Sequence, residues 1–206
     1  MSGYFITATD TGVGKTFVTA ALAESLRARG LDVAVFKPVQ SGALADDPSG
    51  DAALLGAACI YSFAAPLAPL VAARAEGETI ALEPILARAR ELAREHEILL
   101  VEGVGGLLVP LAPGLDVADL AAALGLPLIV VARAGLGTVN HTLLTIEAAR
   151  ARGLDVAGVV LNGESDRSTA DNAALVEAGS GARVLARIPR LADPADAAGY
   201  LDDFLG

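Results

Sequence analysis

The strongest constraint on the fold lies near the start of the chain, where an apolar stretch leads into a glycine-rich turn and then into a helical pattern. Residues 4–9 are rich in β-forming side chains, residues 12–16 read GVGKT, and apolar residues recur at helical spacing over 17–30. A strand, a glycine turn, a lysine and a helix in this order predict a phosphate-binding loop. In such a loop, backbone N–H groups and the positive end of the helix hold phosphate oxygens.

The last two residues of the loop are predicted to act through their side chains. Lys15 is expected to reach the terminal phosphates, and the Thr16 hydroxyl is expected to ligate Mg²⁺. The usual spacing asks for glycine at position 9, which is Thr9 here. The loop is therefore either one residue longer, beginning at Ala8, or lacks its first glycine. An incidental lysine after a plain strand-to-helix turn would not explain why these features occur in this order.

The size and composition of the chain narrow its class. Its 206 residues suit one domain over 1–206, and 53% of them are apolar, as expected for a buried parallel sheet covered by helices. No stretch has the pattern of a signal peptide or a membrane span, so we expect a cytoplasmic protein that does not act at a membrane. The net charge of −10 disfavours a nucleic-acid partner and leaves small molecules as the expected ligands.

Two residue types are scarce enough to be informative. The single cysteine, Cys59, excludes an intramolecular disulfide and a zinc site built from several cysteines. Of the 15 basic residues only Lys15 and Lys37 are lysines. A lysine offers a compact ammonium that meets phosphate or carboxylate as a point charge. Because Lys37 ends a predicted strand over 32–37, we expect both lysines at the same edge of the sheet.

Two acidic residues are candidates for that edge. Asp51 lies where a helix over 52–58 would begin, so its carboxylate either caps that helix or points towards Mg²⁺, directly or through water. Glu102 follows the apolar run 98–101 and precedes a glycine-rich turn. A buried Glu102 requires a metal or a basic partner, whereas an acid solvated at the strand end needs neither.

The remainder of the chain alternates between strand and helix patterns. Residues 63–74 are interpreted as an irregular connecting segment because prolines interrupt them. Asn162 ends a predicted strand over 154–162, and its amide is suited to read a base edge. Further helices are predicted over 83–97, 116–124, 142–152 and 194–205, and further strands over 127–132 and 182–188. The pattern predicts a doubly wound α/β fold, with a mostly parallel sheet, helices on both faces and ligands above the carboxyl ends of the strands.

Five motifs, in this order, resemble the dethiobiotin synthetase family across most of the chain. They are TATDTGVGKT (7–16), FKPVQSG (36–42), VEGVGG (101–106), GLGTVNH (135–141) and LN (161–162). The resemblance implies a fold of the P-loop NTPase type and the longer loop spacing, which accounts for Thr9. That family begins its loop with glycine, where this chain has Ala8.

The resemblance also implies which residues form the site. It assigns catalysis to Thr11, Lys15 and Lys37, and Mg²⁺ binding to Thr16, Asp51 and Glu102. The implied ATP contacts are Gly12, Val13, Gly14, Lys15, Thr16, Phe17, Glu102, Asn162 and the backbone after Pro189. The implied substrate contacts are Thr11, Lys37, Ser41, Glu102, Gly105 and Asn140. By the same analogy, Asn140 holds the carboxylate tail of substrate bound to the partner subunit of a homodimer.

The implied reaction is the ATP- and Mg²⁺-dependent carboxylation of 7,8-diaminononanoate with CO₂ and its closure to dethiobiotin, with release of ADP and phosphate. Phosphoryl transfer of this kind asks the protein mainly for positioning and charge neutralisation. It needs no general-base histidine, and His96 and His141 are interpreted as ordinary helix-end residues.

Two other classes share part of this pattern. Amidotransferase-linked ligases of the cobyrinic-acid type have a similar loop, but they usually carry a glutaminase domain with a catalytic cysteine, for which the chain is too short. Partition and cell-division switch ATPases generally carry a lysine early in the loop, where this chain has Asp10 and its neighbours. The acidic balance and the lack of a basic amphipathic tail also disfavour them.

Overall fold

The structure is a computed structural model that describes residues 1–164 and 167–201. Its central sheet has six strands, which are β1 (Gly3–Ala8), β2 (Val33–Phe36), β5 (Ile98–Glu102), β8 (Leu128–Arg133), β9 (Val156–Asn162) and β10 (Val184–Ile188). Their order across the sheet is β10-β9-β8-β1-β5-β2, and every neighbouring pair is parallel. The predicted α/β fold with a parallel sheet is confirmed.

The connections between these strands contain seven α-helices in the described part of the chain. They are α1 (Lys15–Ala28), α2 (Asp51–Leu55), α3 (Pro69–Ala75), α4 (Leu82–Glu95), α5 (Val117–Leu124), α6 (Thr138–Ala151) and α7 (Thr169–Ser180). Two small ribbons pair β3 (Val39–Ser41) with β4 (Tyr61–Phe63) and β6 (Pro110–Ala112) with β7 (Leu115–Asp116). A 3-10 helix over Pro194–Tyr200 follows the last strand.

Both faces of the sheet are buried, because successive side chains of a strand point to opposite sides. On β8, Ile129 and Val131 belong to the apolar cluster under α1 and the 3-10 helix, whereas Leu128 packs with residues of α4 and α5 on the opposite face. Val130 on that opposite face packs with α6 and α7. Full burial of each such side chain contributes roughly 1.5–3 kcal/mol. The helices therefore lie on both faces, as the apolar strands require.

Several boundaries differ from the sequence predictions. Residues 69–75 form helix α3 instead of an irregular segment, because Pro69 occupies the first turn, where its missing N–H costs nothing. Helix α6 begins at Thr138 and not at residue 142, since Gly137 adopts φ 89° and starts the helix directly. Helix α7 has no counterpart among the predictions. The predicted helix over 194–205 is a 3-10 helix as far as Tyr200, and its last residues lie outside the described part of the chain.

No helix within residues 1–164 and 167–201 has both the length and the apolar content to cross a bilayer.

The parallel sheet places several chain segments together at one edge. The loop after β1, Lys37 after β2, Glu102 at the end of β5 and Asn162 at the end of β9 all lie at the carboxyl ends of their strands. Because β1 lies between β5 and β8, the loop that follows β1 is central in this group. Ligands of open parallel sheets bind at this edge.

Candidate active site

The loop between β1 and α1 has the backbone conformation that anion binding requires. Gly12 and Gly14 adopt φ values of 74° and 93°, in the left-handed region that favours glycine. Gly14 is the N-cap of α1, and no acidic side chain occupies the first turn of that helix. The positive helix end therefore meets no carboxylate from its own first turn, and its N–H groups are available to an anion.

A cavity of about 640 Å³ lies beside this loop, and most of the predicted site residues line it. The predicted residues that line it are Thr11, Gly12, Gly14, Lys15, Thr16, Lys37, Ser41, Asp51 and Gly105. Residues 66–69, Val104 and Val109 complete its wall. The expectation that both lysines lie at one edge of the sheet is confirmed, since the two side chains share this cavity.

Lys37 is fully buried and is held by two carboxylates. Its Nζ atom lies 2.6 Å from Glu102 Oε1 and 2.7 Å from Asp51 Oδ2, and it also donates to the Gly103 carbonyl oxygen at 3.0 Å. Burial acts to lower the pKa of Lys37, but the carboxylates of Glu102 and Asp51 outweigh it and raise the pKa above the ordinary 10.5. Lys37 is therefore a fixed ammonium.

Thr16 connects the loop to the same carboxylates. Its Oγ1 atom lies 2.8 Å from Asp51 Oδ1 and 3.0 Å from Glu102 Oε1, so its single hydroxyl hydrogen can be donated to either. Glu102 is fully buried, and its Oε2 atom has no hydrogen-bond partner among the described residues. The interpretation of Glu102 as a solvated acid is therefore wrong, and the basic partner that its burial required is Lys37.

The side chains of Thr16, Asp51 and Glu102 fit a hard divalent cation. A hydroxyl and two carboxylates are oxygen ligands of the kind that Mg²⁺ prefers, and Mg²⁺ is commonly bound by one or two carboxylates together with waters and phosphate. The unpartnered Oε2 of Glu102 provides a buried acceptor for a further cation. The residues present therefore suit Mg²⁺.

The two interpretations of Asp51 are distinguished by the structure. The N-cap of α2 is Gly50 and makes no side-chain cap bond, while Asp51 is the first helical residue. Its carboxylate instead contacts Thr16 and Lys37, so the capping interpretation is wrong. Partial burial acts to raise the pKa of Asp51, but attraction to Lys37 and hydrogen bonds from Lys37 and Thr16 outweigh it and lower that pKa.

Lys15 is nearly buried at the start of α1, with 8% of its surface exposed. Burial is the main reason that its pKa is lowered, and the nearby positive charge of Lys37 lowers it further. An anion in the cavity would oppose both effects on the pKa, because its negative charge would stabilise the ammonium. The nearly buried Lys15 ammonium beside this cavity therefore favours an anionic ligand.

A second cavity, of about 750 Å³, extends from the other side of the loop. Gly12, Val13, Gly14 and Asn162 line it, together with residues that the sequence analysis did not single out, Arg133, Glu164 and Arg190. Pro189 directly follows β10 and precedes Arg190. Val13 and Phe17 pack against the apolar cluster under α1, and Phe17 lines neither of these two cavities.

The structure does not bring Asn140 to Lys37. Asn140 is exposed in the first turn of α6 and does not line the cavity that holds the lysines. Leu144 and Ala148, at helical spacing from Asn140, line a third cavity of about 420 Å³ that also contains Thr11. His141 is exposed beside Asn140, and His96 pairs with Asp32 at 2.8 Å, away from the cavities described.

Two functional features escaped the sequence analysis. The Gly103 carbonyl oxygen accepts from Lys37, a backbone role that carries no side-chain signal. Gln40 is buried and braces the segment before Asp51, because its Nε2 donates to the carbonyl oxygens of Ala43 and Leu44 and its Oε1 accepts from the Ala52 N–H. A polar side chain inside the buried FKPVQSG motif is the signal that points to Gln40.

Comparison with solved structures supports the fold. The chain superposes on the MinC:MinD cell division protein complex of Aquifex aeolicus with a TM-score of 0.62 and 14% identity, covering 99% of this chain and 94% of that chain. It superposes on chloroplast FtsY from Physcomitrella patens with a TM-score of 0.57 and 16% identity, covering 100% and 65%. At these identities the likeness concerns the fold alone, which is that of the P-loop NTPases.

Comparison of sequences identifies the family. A family described as AAA domain matches residues 2–197. A relative from Anaeromyxobacter dehalogenans (strain 2CP-C), named ATP-dependent dethiobiotin synthetase BioD, is 55% identical over 84% of this chain and 83% of its own length. A relative of the same name from Bacillus licheniformis is 43% identical over 94% and 88%. Identity at this level over most of each sequence means that the chain belongs to the ATP-dependent dethiobiotin synthetase family.

Proposed function

We propose that the protein is an ATP- and Mg²⁺-dependent ligase that forms dethiobiotin from 7,8-diaminononanoate and CO₂. Membership of the family supports the overall activity. The observation that carries the proposal is a cavity lined by Lys15, Thr16, Lys37 and Asp51, with the buried Glu102 carboxylate in contact with Lys37 and Thr16. A site with two ammonium groups and a set of hard oxygen ligands suits the transfer of a phosphoryl group to a second anion.

The proposed reaction takes place in three steps. One amine of the substrate adds to CO₂ and loses a proton, which gives a carbamate. A carbamate oxygen then attacks the γ-phosphorus of ATP, so that ADP leaves and a carbamic-phosphoric anhydride forms. The second amine attacks the carbonyl carbon and loses a proton, phosphate leaves and the five-membered cyclic urea is complete. Each attacking group belongs to a substrate, so no protein nucleophile is consumed.

The residues of the cavity have corresponding roles in the proposal. The loop N–H groups and Lys15 hold the terminal phosphates, and Lys37 presents a fixed positive charge to the carbamate and the transferred phosphoryl group. Thr16, Asp51 and Glu102 would hold Mg²⁺, which supplies charge neutralisation on the phosphate oxygens.

Three further residues that line this cavity are proposed to bind the substrate. Thr11, Ser41 and Gly105 line the same cavity as the lysines and are proposed to contact the diamine. The described residues that line this cavity include neither histidine nor cysteine. Catalysis by positioning and charge neutralisation is consistent with this lining.

We propose further that the protein is a cytoplasmic, single-domain homodimer. Asn140 is exposed on α6 and would contact substrate bound to the partner subunit. Leu108, Leu136 and Leu144 are large apolar side chains exposed by 53%, 80% and 56%, which is consistent with an interface. Sizing of the purified protein in solution tests this proposal, and a monomer at catalytic concentrations would contradict it.

The direct test of function is ADP release measured with all substrates and with each one omitted. We expect turnover that requires both 7,8-diaminononanoate and bicarbonate as the source of CO₂, with dethiobiotin formed in equal amount to ADP. A reaction in CO₂-depleted buffer serves as the matched control. Absence of turnover with the full set would contradict the proposal.

The same assay distinguishes the alternative of a switch ATPase of the partition or cell-division type. Such an enzyme would hydrolyse ATP without the diamine. The structural likeness to the MinC:MinD complex concerns the fold only. The acidic Asp10 early in the loop and the net charge of −10 favour the ligase.

A further inference from the structure

The phosphate-binding loop is tied to a distant strand by one side chain. The Asn162 Nδ2 atom donates a hydrogen bond of 3.0 Å to the Val13 carbonyl oxygen, across 149 positions of sequence. Because a carbonyl oxygen only accepts hydrogen bonds, the amide must present its N–H side to Val13. The contact therefore has one chemically sensible orientation.

Asn162 is well placed to act as a rigid support. It lies at the end of β9, in register with Arg133 of β8 on one side and with Ile188 of β10 on the other. The backbone carbonyl oxygen of Asn162 also accepts a hydrogen bond of 3.0 Å from the Ala134 N–H. Because both neighbouring strands hold the Asn162 backbone, the Asn162 side chain can keep the residue that it contacts in a defined position relative to the sheet.

The bond to Val13 controls the next residue of the loop as well. The Val13 carbonyl and the Gly14 N–H belong to one trans peptide plane and point in opposite directions. When Asn162 holds the carbonyl, the Gly14 N–H is turned away from Asn162. Gly14 lines both large cavities beside the loop, and its N–H is one of the groups that a phosphate-binding loop presents to its anion.

The backbone conformation of Gly14 and the close approach of the two segments both favour glycine at this position. A Cβ atom at Gly14 would lie 2.1 Å from Asn162 Nδ2, much closer than atoms can approach. The φ of 93° at Gly14 disfavours any other residue in addition. The loop and the Asn162 amide are thus packed directly against each other.

We propose that Asn162 is a positioning residue for the phosphate-binding loop, which holds the Val13 carbonyl and thereby orients the Gly14 N–H for phosphate. This role is separate from the reading of a base edge, and it rests on the phosphate-binding part of the proposed function. An asparagine amide carries two N–H hydrogens and an acceptor oxygen, so the bond to Val13 uses only part of its capacity. One side chain can therefore couple recognition of the base to the geometry of the phosphate site.

The test separates the two halves of the nucleotide. Binding of ATP and of inorganic tripolyphosphate, both with Mg²⁺, is measured by calorimetry for the wild-type protein and for Asn162→Ala. A positioning role predicts that the variant binds tripolyphosphate about 5- to 10-fold more weakly, because one hydrogen bond that orients the loop is lost. A role confined to the base predicts weaker ATP binding with unchanged tripolyphosphate binding, and that result would overturn the proposal.

A matched control changes another side chain of the same cavity. Glu164 lines the cavity with Asn162 but pairs with the exposed Arg190, at 2.8 Å, and not with the loop. Glu164→Gln removes an exposed ion pair, so tripolyphosphate binding should stay within about twofold of wild type. An equal loss in both variants would contradict a specific role for Asn162.

Hydrogen exchange of the loop amides provides a measurement that needs no ligand. We expect faster exchange over residues 10–16 in Asn162→Ala and also in Asn162→Asp, which fills the same space but offers no donor to Val13. Unchanged exchange in the folded variants would overturn the proposal. If the wild-type protein binds neither ATP nor tripolyphosphate, the proposed function fails, whereas the exchange experiment still decides the role of Asn162.

Discussion

The Lys37 ammonium lies 2.6 Å from a carboxylate oxygen of Glu102, and neither side chain is exposed to solvent. Asp51 approaches the same ammonium from the exposed side at 2.7 Å. Isolated buried charges are costly, so the burial of Lys37 and Glu102 depends on their pairing with each other. The site is therefore a small ionic network whose parts can be changed one at a time.

Lys37→Arg is expected to lose at least about 100-fold in turnover, although the positive charge is kept. A planar guanidinium cannot take the place of a compact ammonium between two carboxylates, and misplacement by about 1 Å can cost this much. Steady-state ADP release tests the prediction, with Arg88→Lys on the exposed face of α4 as the control. Near-normal turnover of Lys37→Arg would show that the position needs only a positive charge.

Glu102→Gln should lower the free energy of unfolding by about 2–4 kcal/mol at neutral pH, because the buried Lys37 loses one of its two charged partners. Urea unfolding measures the change. The matched control is Glu91→Gln, which breaks the exposed pair with Arg88 and should cost less than about 0.5 kcal/mol. Equal effects of the two substitutions would contradict a special role for the buried pair.

Asp51 should make stability depend on pH on the acid side. Its pKa in the folded protein is lowered from 3.8, so its contribution is fully present above that value and is lost as the pH falls through the folded pKa. The difference in unfolding free energy between wild type and Asp51→Asn should therefore shrink from about pH 5 towards about pH 2. Urea unfolding across this range measures it, with the exposed Asp46→Asn as control. A difference that stays constant would contradict the prediction.

Thr16 separates metal binding from loop structure. Thr16→Val removes the hydroxyl while keeping the shape of the side chain, and we expect Mg²⁺ to lose most of its effect on nucleotide affinity. Thr16→Ser keeps the hydroxyl and should retain the effect. Calorimetry of ATP binding with and without Mg²⁺ measures both variants. Equal enhancement by Mg²⁺ in Thr16→Val and wild type would remove Thr16 from the metal site.

The architecture was predictable where local patterns are strong. The strand, glycine turn and helix around Lys15 were predicted because their signals lie within a few residues of one another. Helix α3 was missed because prolines were interpreted as interruptions, although Pro69 lies in the first turn, where proline is tolerated. Helix α6 starts four residues earlier than predicted because the glycines before it suggested a longer turn.

The composition of the site was predictable in part. Lys37 and Glu102 stood out because each ends an apolar strand, yet they are 65 positions apart, and the sequence does not state that they touch. The roles of the site residues in catalysis, the single domain and the homodimer remain predictions.

The side-chain contacts of Asp51 and Asn162 could not be predicted from the local sequence. The direction of the Asp51 carboxylate was undecided because a helix-start residue has the same local sequence whether it caps or points into a site. The Asn162 amide was expected to read a base, and its bond to Val13 has no local signal at all.

The sequence by itself determined the class of fold, through its alternating strand and helix patterns, and its GVGKT turn predicted a phosphate-binding loop. Both inferences depend on short-range patterns of apolar, glycine and lysine residues. Only the tertiary structure decided which side chains of other strands lie beside the loop. The strand order puts β1 between β5 and β8, with β2 beyond β5 and β9 beyond β8. That order brings Glu102 and Lys37 to one side of the loop and Asn162 to the other. Contacts between residues so far apart in sequence are set by the packing of the whole sheet, which no local pattern encodes.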